Sequence, residues 1–145
     1  MSRLHPPKLS LAIVNDLAEI GRIAPIIEKF CAEHGLGEET AHAINLSLDE
    51  LLTNTISYGF EDGGRHVIDI VVEAQGDRAV VTVKDDAAAF DPTEAGDPDL
   101  DADLDERPIG GLGIHIVRAM MDDIVYARVG GHNQLTLTKI SVQEG

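Results

Sequence analysis

The sequence predicts an α+β fold: a two-layer sandwich with a mixed, mostly antiparallel sheet and helices on one face. Three observations predict it. Apolar residues recur at helical spacing through residues 38–58. They alternate with a period of two through 67–73, and the chain returns as a partner strand through 79–84 after a Gly76-Asp77 turn. The predicted elements run strand, helix, helix, strand, strand, loop, helix, strand, strand, and helices on one face of the sheet would bury every apolar stripe. At 145 residues the chain is read as one domain over 1–145, because two cores would not fit.

Residues 8–14 (KLSLAIV) read as the first strand. Asn15 or Asp16 can cap a helix that runs to about His34, with Gly35 as its stop. Pro25 falls inside this helix and predicts a kink or a fresh start there. The second helix spans Glu38 to Tyr58, with Ala41, Ile44, Leu48, Leu51, Leu52 and Thr55 on one stripe. In the strand 67–73, Ile68, Ile70 and Val72 share a face. Residues 91–107 (DPTEAGDPDLDADLDER) hold eight acids, one base and two prolines, so they read as a long, acidic loop. Leu112 to Asp122 is nearly all apolar and predicts a buried helix. Ile124–Val129 and Gln134–Ile140 form a last hairpin around Gly130-Gly131-His132-Asn133.

Composition excludes several functions. The formal charge is −15, from 26 acids against 11 bases, and the bases do not cluster. No nucleic-acid partner is expected. No run approaches 18 apolar residues, so no membrane span is expected. Residues 1–15 lack the apolar core of a signal peptide. The single Cys31 rules out an intramolecular disulfide framework and suits a reducing cytoplasm. Cys31 is expected to be semi-buried on its helix, Met120 and Met121 to pack the last helix, His42 and His66 to lie on the surface, and His115 to be a packed core residue.

Three places carry chemistry. Glu50 and Asn54 lie four apart on the second helix, beside the apolar stripe. A carboxylate and an amide oxygen stacked this way can hold a hard cation such as Mg²⁺. Asp85 ends the strand VVTVKD with the parity of Val81 and Val83, so it points into the covered side of the sheet; Asp86 points away. A carboxylate there needs hydrogen bonds, and an exocyclic amine such as that of adenine would serve. Gly110-Gly111-Leu112-Gly113 opens the last helix, where backbone N–H groups and glycines permit close approach of a phosphate. No Lys-Ser/Thr follows as in a Walker loop, and the glycine spacing is not a Rossmann fingerprint.

In this order these pieces resemble the GHKL ATP-binding superfamily, with its Bergerat fold. Within it the chain is most similar to the small anti-sigma-factor serine/threonine kinases. The phrases GGLGIHIVRAMMD and GHNQLTLTK carry the likeness, together with the Glu50-x-x-x-Asn54 helix, over roughly 10–140. The resemblance implies ATP and Mg²⁺ as cofactors. Asn54 would ligate Mg²⁺, and Glu50 would orient or deprotonate the nucleophile. Asp85 would accept the adenine amine. Gly111 and Gly113 with the adjoining Gly110 and Leu112 would hold phosphates, Arg107 would reach the γ-phosphate, and 91–110 would form the ATP lid. The implied substrate is a serine or threonine of a STAS-type anti-sigma-factor antagonist. The implied partners are that antagonist, a sigma factor and a second copy in a homodimer. The family's D-x-G-x-G box stands here as Asp85-Asp86-Ala87-Ala88-Ala89. Alanine resists the positive φ that glycine allows, so weakened ATP binding is one expectation. The corresponding alternative is an anti-sigma or adaptor module with a decayed ATP site. A domain working with a separate histidine phosphoacceptor is a further one.

Overall fold

The computed structural model describes residues 6–94 and 111–141. The elements are β1 (Lys8–Val14), α1 (Ala18–Glu33), α2 (Glu38–Tyr58), β2 (Val67–Gln75) and β3 (Arg78–Asp85). A 3₁₀ turn at Pro92–Glu94 precedes α3 (Gly111–Met120), β4 (Asp123–Val129) and β5 (His132–Ile140). The five strands form one sheet in the order β1-β2-β3-β5-β4. Every pairing among the described residues is antiparallel, so the sheet is more uniform than the mixed one expected.

Strand parity decides which face is covered. Ile68, Ile70 and Val72 of β2, Val81 and Val83 of β3, and Leu135 and Leu137 of β5 are all buried. They meet Ile23 and Ile27 of α1, Ile44, Leu48 and Leu52 of α2, and Val117 of α3 in one core. Each fully buried Ile or Leu contributes about 1.5–3 kcal/mol relative to exposure. The opposite row, Ser10, Val71, Thr82, Thr136 and Val125, runs across the uncovered face in register.

Pro25 does not break α1, which continues to Glu33. The carbonyl it deprives of a donor belongs to Gly21, an exposed residue where water can substitute. Beside it Asn45 Nδ2 donates to Ala24 O at 3.1 Å, bracing α2 against α1. Neither Asn15 nor Asp16 is the cap of α1: the N-cap is Leu17, with no side-chain cap bond, and Asp16 Oδ1 accepts from Ala18 N at 2.9 Å from one position further out. Asn15 instead accepts from His66 N at 2.9 Å and donates to Gly64 O at 2.9 Å, tying the α2–β2 loop to the end of β1.

Two expectations for α3 need correction. It ends at Met120 rather than Asp122, and it is not buried all round. Ile114, Val117 and Met121 are buried, while His115 and Arg118 are exposed. The apolar run covers more of the helix circumference than the core can reach, and His115 falls on the solvent side. Cys31 is fully buried rather than half-buried. Burial pushes its thiol up to about 11, which leaves it protonated and inert near neutral pH.

Candidate functional site

The second half of α2, the end of β3 and the β4–β5 hairpin enclose a cavity of about 350 Å³. Asn54, Tyr58, Asp85, Phe90, Tyr126 and Asn133 contribute its polar and aromatic wall, and Leu51, Val83 and Leu135 are among its apolar lining. Two of the residues read from the sequence, Asn54 and Asp85, thus line the same space although 31 positions separate them in the chain. Glu50 lies one helical turn before Asn54, half-buried, and is not part of the cavity wall. Gly111, Leu112 and Gly113 form the first turn of α3, which packs against α2. Gly110, Arg107 and positions 95–110 of the expected lid lie outside the described residues.

Asp85 is buried and points inward, as its strand parity required. Its Oδ1 accepts from Ala87 N at 3.0 Å and from Asn133 Nδ2 at 3.0 Å. Its Oδ2 takes no hydrogen bond among the described residues. A carboxylate oxygen left free at the wall of an apolar cavity is suited to an N–H donor from a ligand.

The expected strain at the alanine-substituted box does not occur. Among the described residues no residue other than glycine has positive φ, so Ala87 and Ala89 sit in ordinary backbone conformations. Ala87 is buried, and Ala88 N donates to Gly59 O at 3.0 Å. The close fit is provided from the other side. A Cβ on Gly59 would stand 2.9 Å from the Ala87 methyl and 2.6 Å from Thr55 O. The glycine that allows this segment to approach α2 is therefore Gly59, at the C-cap of that helix.

Asn133 is the residue that sequence reasoning missed. The hairpin turn contains only Gly130 and Gly131, with φ of 55° and 80°, which matches a two-residue primed turn. β5 therefore begins at His132, two positions before the expected start, and Asn133 pairs directly with Asp85. It shares the parity of Leu135 and Leu137, which was the signal available in the sequence.

The α2–β2 loop adds a charged clamp beside this wall. The His66 ring stacks on Phe60 with centroids 4.4 Å apart. Its Nε2 lies 2.9 Å from Asp62 and its Nδ1 3.0 Å from Asp86, the neighbour of Asp85. Both ring nitrogens can donate only in the imidazolium form. The hydrogen bonds to Asp62 and then Asp86 hold His66 above its ordinary 6.5. The bond from Gly64 N, then that from His66, holds Asp62 below the usual carboxylate range. A raised histidine stabilises the fold below its unfolded value, and this contribution is lost as pH rises through the folded value. A lowered carboxylate stabilises above its unfolded value and loses that contribution as pH falls. The clamp is thus strongest between the carboxylate range and pH about 6.5. The native melting temperature is expected to fall as pH rises above about 6.5, and His66→Gln is expected to flatten that fall. Thermal melts across that range check it, and an unchanged decline would contradict it.

Comparisons with known proteins bear on the family and the fold. The family model for the histidine kinase-like ATPase domain matches residues 13–139. The serine/threonine-protein kinase BtrW of Bordetella bronchiseptica is 35% identical over 101 residues, covering 70% of this chain and 71% of that protein. The serine-protein kinase RsbW of Listeria monocytogenes is 27% identical over 132 residues, covering 86% of this chain and 81% of its own. Among solved structures, the RsbU and RsbW domains of Rv1364c from Mycobacterium tuberculosis superpose with a TM-score of 0.63 at 15% identity, over 96% of this chain and 34% of that one. The histidine kinase domain of a blue-light activated kinase from Erythrobacter litoralis gives 0.53 at 23% identity, over 86% of this chain and 60% of that one. These two structures carry the likeness in fold.

Proposed function

The chain belongs to the histidine kinase-like ATPase domain family, and we propose that it is an ATP-dependent serine/threonine protein kinase acting by partner switching. Its substrate would be a serine or threonine of a STAS-type anti-sigma-factor antagonist, and it would also sequester a sigma factor. The observation that carries the reading is the convergence of Asn54 and the inward Asp85 on one cavity. Its volume of about 350 Å³ falls in the range of small-molecule sites. The free Oδ2 of Asp85 suits an amine donor, and the half-buried Asn54 offers an amide oxygen at the same wall. The donor set therefore fits an adenine nucleotide with a hard cation.

When bound, ATP would supply the phosphoryl group and Mg²⁺ the neutralisation of its charge. The residues of this chain do the positioning. Asp85 accepts the exocyclic amine of the base. Asn54 holds the cation. Backbone N–H groups of Gly111 to Gly113, in the first turn of α3, together with the preceding Gly110 in the sequence, would hold the phosphates. Arg107 would offset charge developing at the transferred group, and 91–110 would serve as the ATP lid of a single domain spanning 1–145. Glu50, set back on α2, orients the incoming hydroxyl or takes its proton. A homodimer in the cytoplasm is part of the same reading. Among the described residues no helix is long and apolar enough to cross a membrane.

Calorimetric titration with ATP, with and without Mg²⁺, tests the site. A saturable, Mg²⁺-dependent heat is expected. No heat in either condition would leave a protein-capture module of the same fold.

A further inference from the structure

We infer that Asn133 sets the base specificity of this cavity by fixing Asp85 as a hydrogen-bond acceptor, an assignment that rests on the adenine-nucleotide reading of the site. Every polar atom of its side chain is engaged. Oδ1 faces three donors: the Tyr126 hydroxyl at 2.5 Å, Arg128 Nη1 at 3.1 Å and Phe90 N at 3.4 Å. Nδ2 faces Asp85 Oδ1 at 3.0 Å and the carbonyls of Ala88 at 3.0 Å and Ala87 at 3.4 Å. With donors on one side and acceptors on the other, only one orientation of the amide satisfies the network. Asn133 is buried at 8% exposure, so water cannot readily replace these partners.

This fixed amide has two consequences at the cavity wall. It occupies Asp85 Oδ1 together with Ala87 N, which leaves Oδ2 as the oxygen that meets a ligand. It also anchors 87–90 from the sheet side, while Gly59 O anchors Ala88 N from the α2 side. An Oδ2 held as an acceptor rewards the amino group of adenine. It meets the 6-oxo group of hypoxanthine acceptor to acceptor. A loosely held carboxylate could rotate or keep water and would discriminate less. Asn133 is therefore a positioning residue that acts through Asp85.

Calorimetry with Mg-ADP and Mg-IDP on the native chain and two variants tests this. Asn133→Asp keeps the shape and the acceptor facing Tyr126 and Arg128. It replaces the donor to Asp85 with a second carboxylate, and the pair then shares a proton. Asn133→Ala removes the donor without adding charge and carries the test if the first variant melts out. The native protein is expected to prefer ADP over IDP by roughly 10- to 100-fold, the scale of one charged hydrogen bond. Both variants are expected to lose most of that ratio, chiefly through weaker ADP binding. An unchanged ratio, with both nucleotides weakened equally, would reduce Asn133 to a structural brace and overturn the inference. A native protein that binds neither nucleotide would overturn the reading of the site itself, and the inference with it.

Discussion

Glu50→Ala is expected to bind Mg-ATP with near-native affinity and to lose phosphoryl transfer by about 10²- to 10⁴-fold, the usual weight of a positioned general base. The geometry separates these two effects. Glu50 sits one turn of α2 before Asn54 and is not part of the cavity wall. Removing its carboxylate therefore leaves the nucleotide contacts in place. It is half-buried, so truncation opens no large void in the core. Calorimetry and labelled-phosphate transfer, run on the same preparation, read the two effects independently. Full transfer by the variant would remove Glu50 from the mechanism.

Asn54→Ala is expected to have the opposite signature, with Mg-ATP binding itself abolished. Asn54 lines the cavity and is assigned the cation. Without its amide oxygen the cation loses a fixed ligand, and the phosphates it would bridge lose their compensation. Thermal melting with nucleotide gives a direct readout. A ligand at 100 times its Kd stabilises a protein by about 2.7 kcal/mol, and that gain should vanish in the variant. The melt without nucleotide should change little, because Asn54 is only half-buried and donates to no described residue. Nucleotide stabilisation equal to the native protein's would remove Asn54 from the site.

Much of the fold was legible because the periodicities are strong. The stripe from Ala41 to Leu52 gave α2 its bounds, and the alternation of Ile68, Ile70 and Val72 gave β2 its buried face. Asp85 was legible for the same reason, since strand parity alone turns it inward. Asn133 was hidden by its neighbours. Gly130, Gly131, His132 and Asn133 all have turn chemistry, yet only the two glycines take positive φ, and the strand resumes at once. The charge clamp at His66 depends on Asp86, twenty positions away, and local pattern carries no trace of such a partner. His115 misled because an apolar run resembles a fully buried helix until the circumference it must cover is known. The alanine box departs from the family's glycine pattern, and the close approach is supplied by Gly59 across the contact.

Incubation of the native chain with γ-labelled ATP, Mg²⁺ and STAS-domain antagonists from the source genome tests the kinase assignment most directly. Acid-stable label on a serine or threonine of one antagonist is expected. Acid-labile label, or none on any antagonist while ATP still binds, would contradict it.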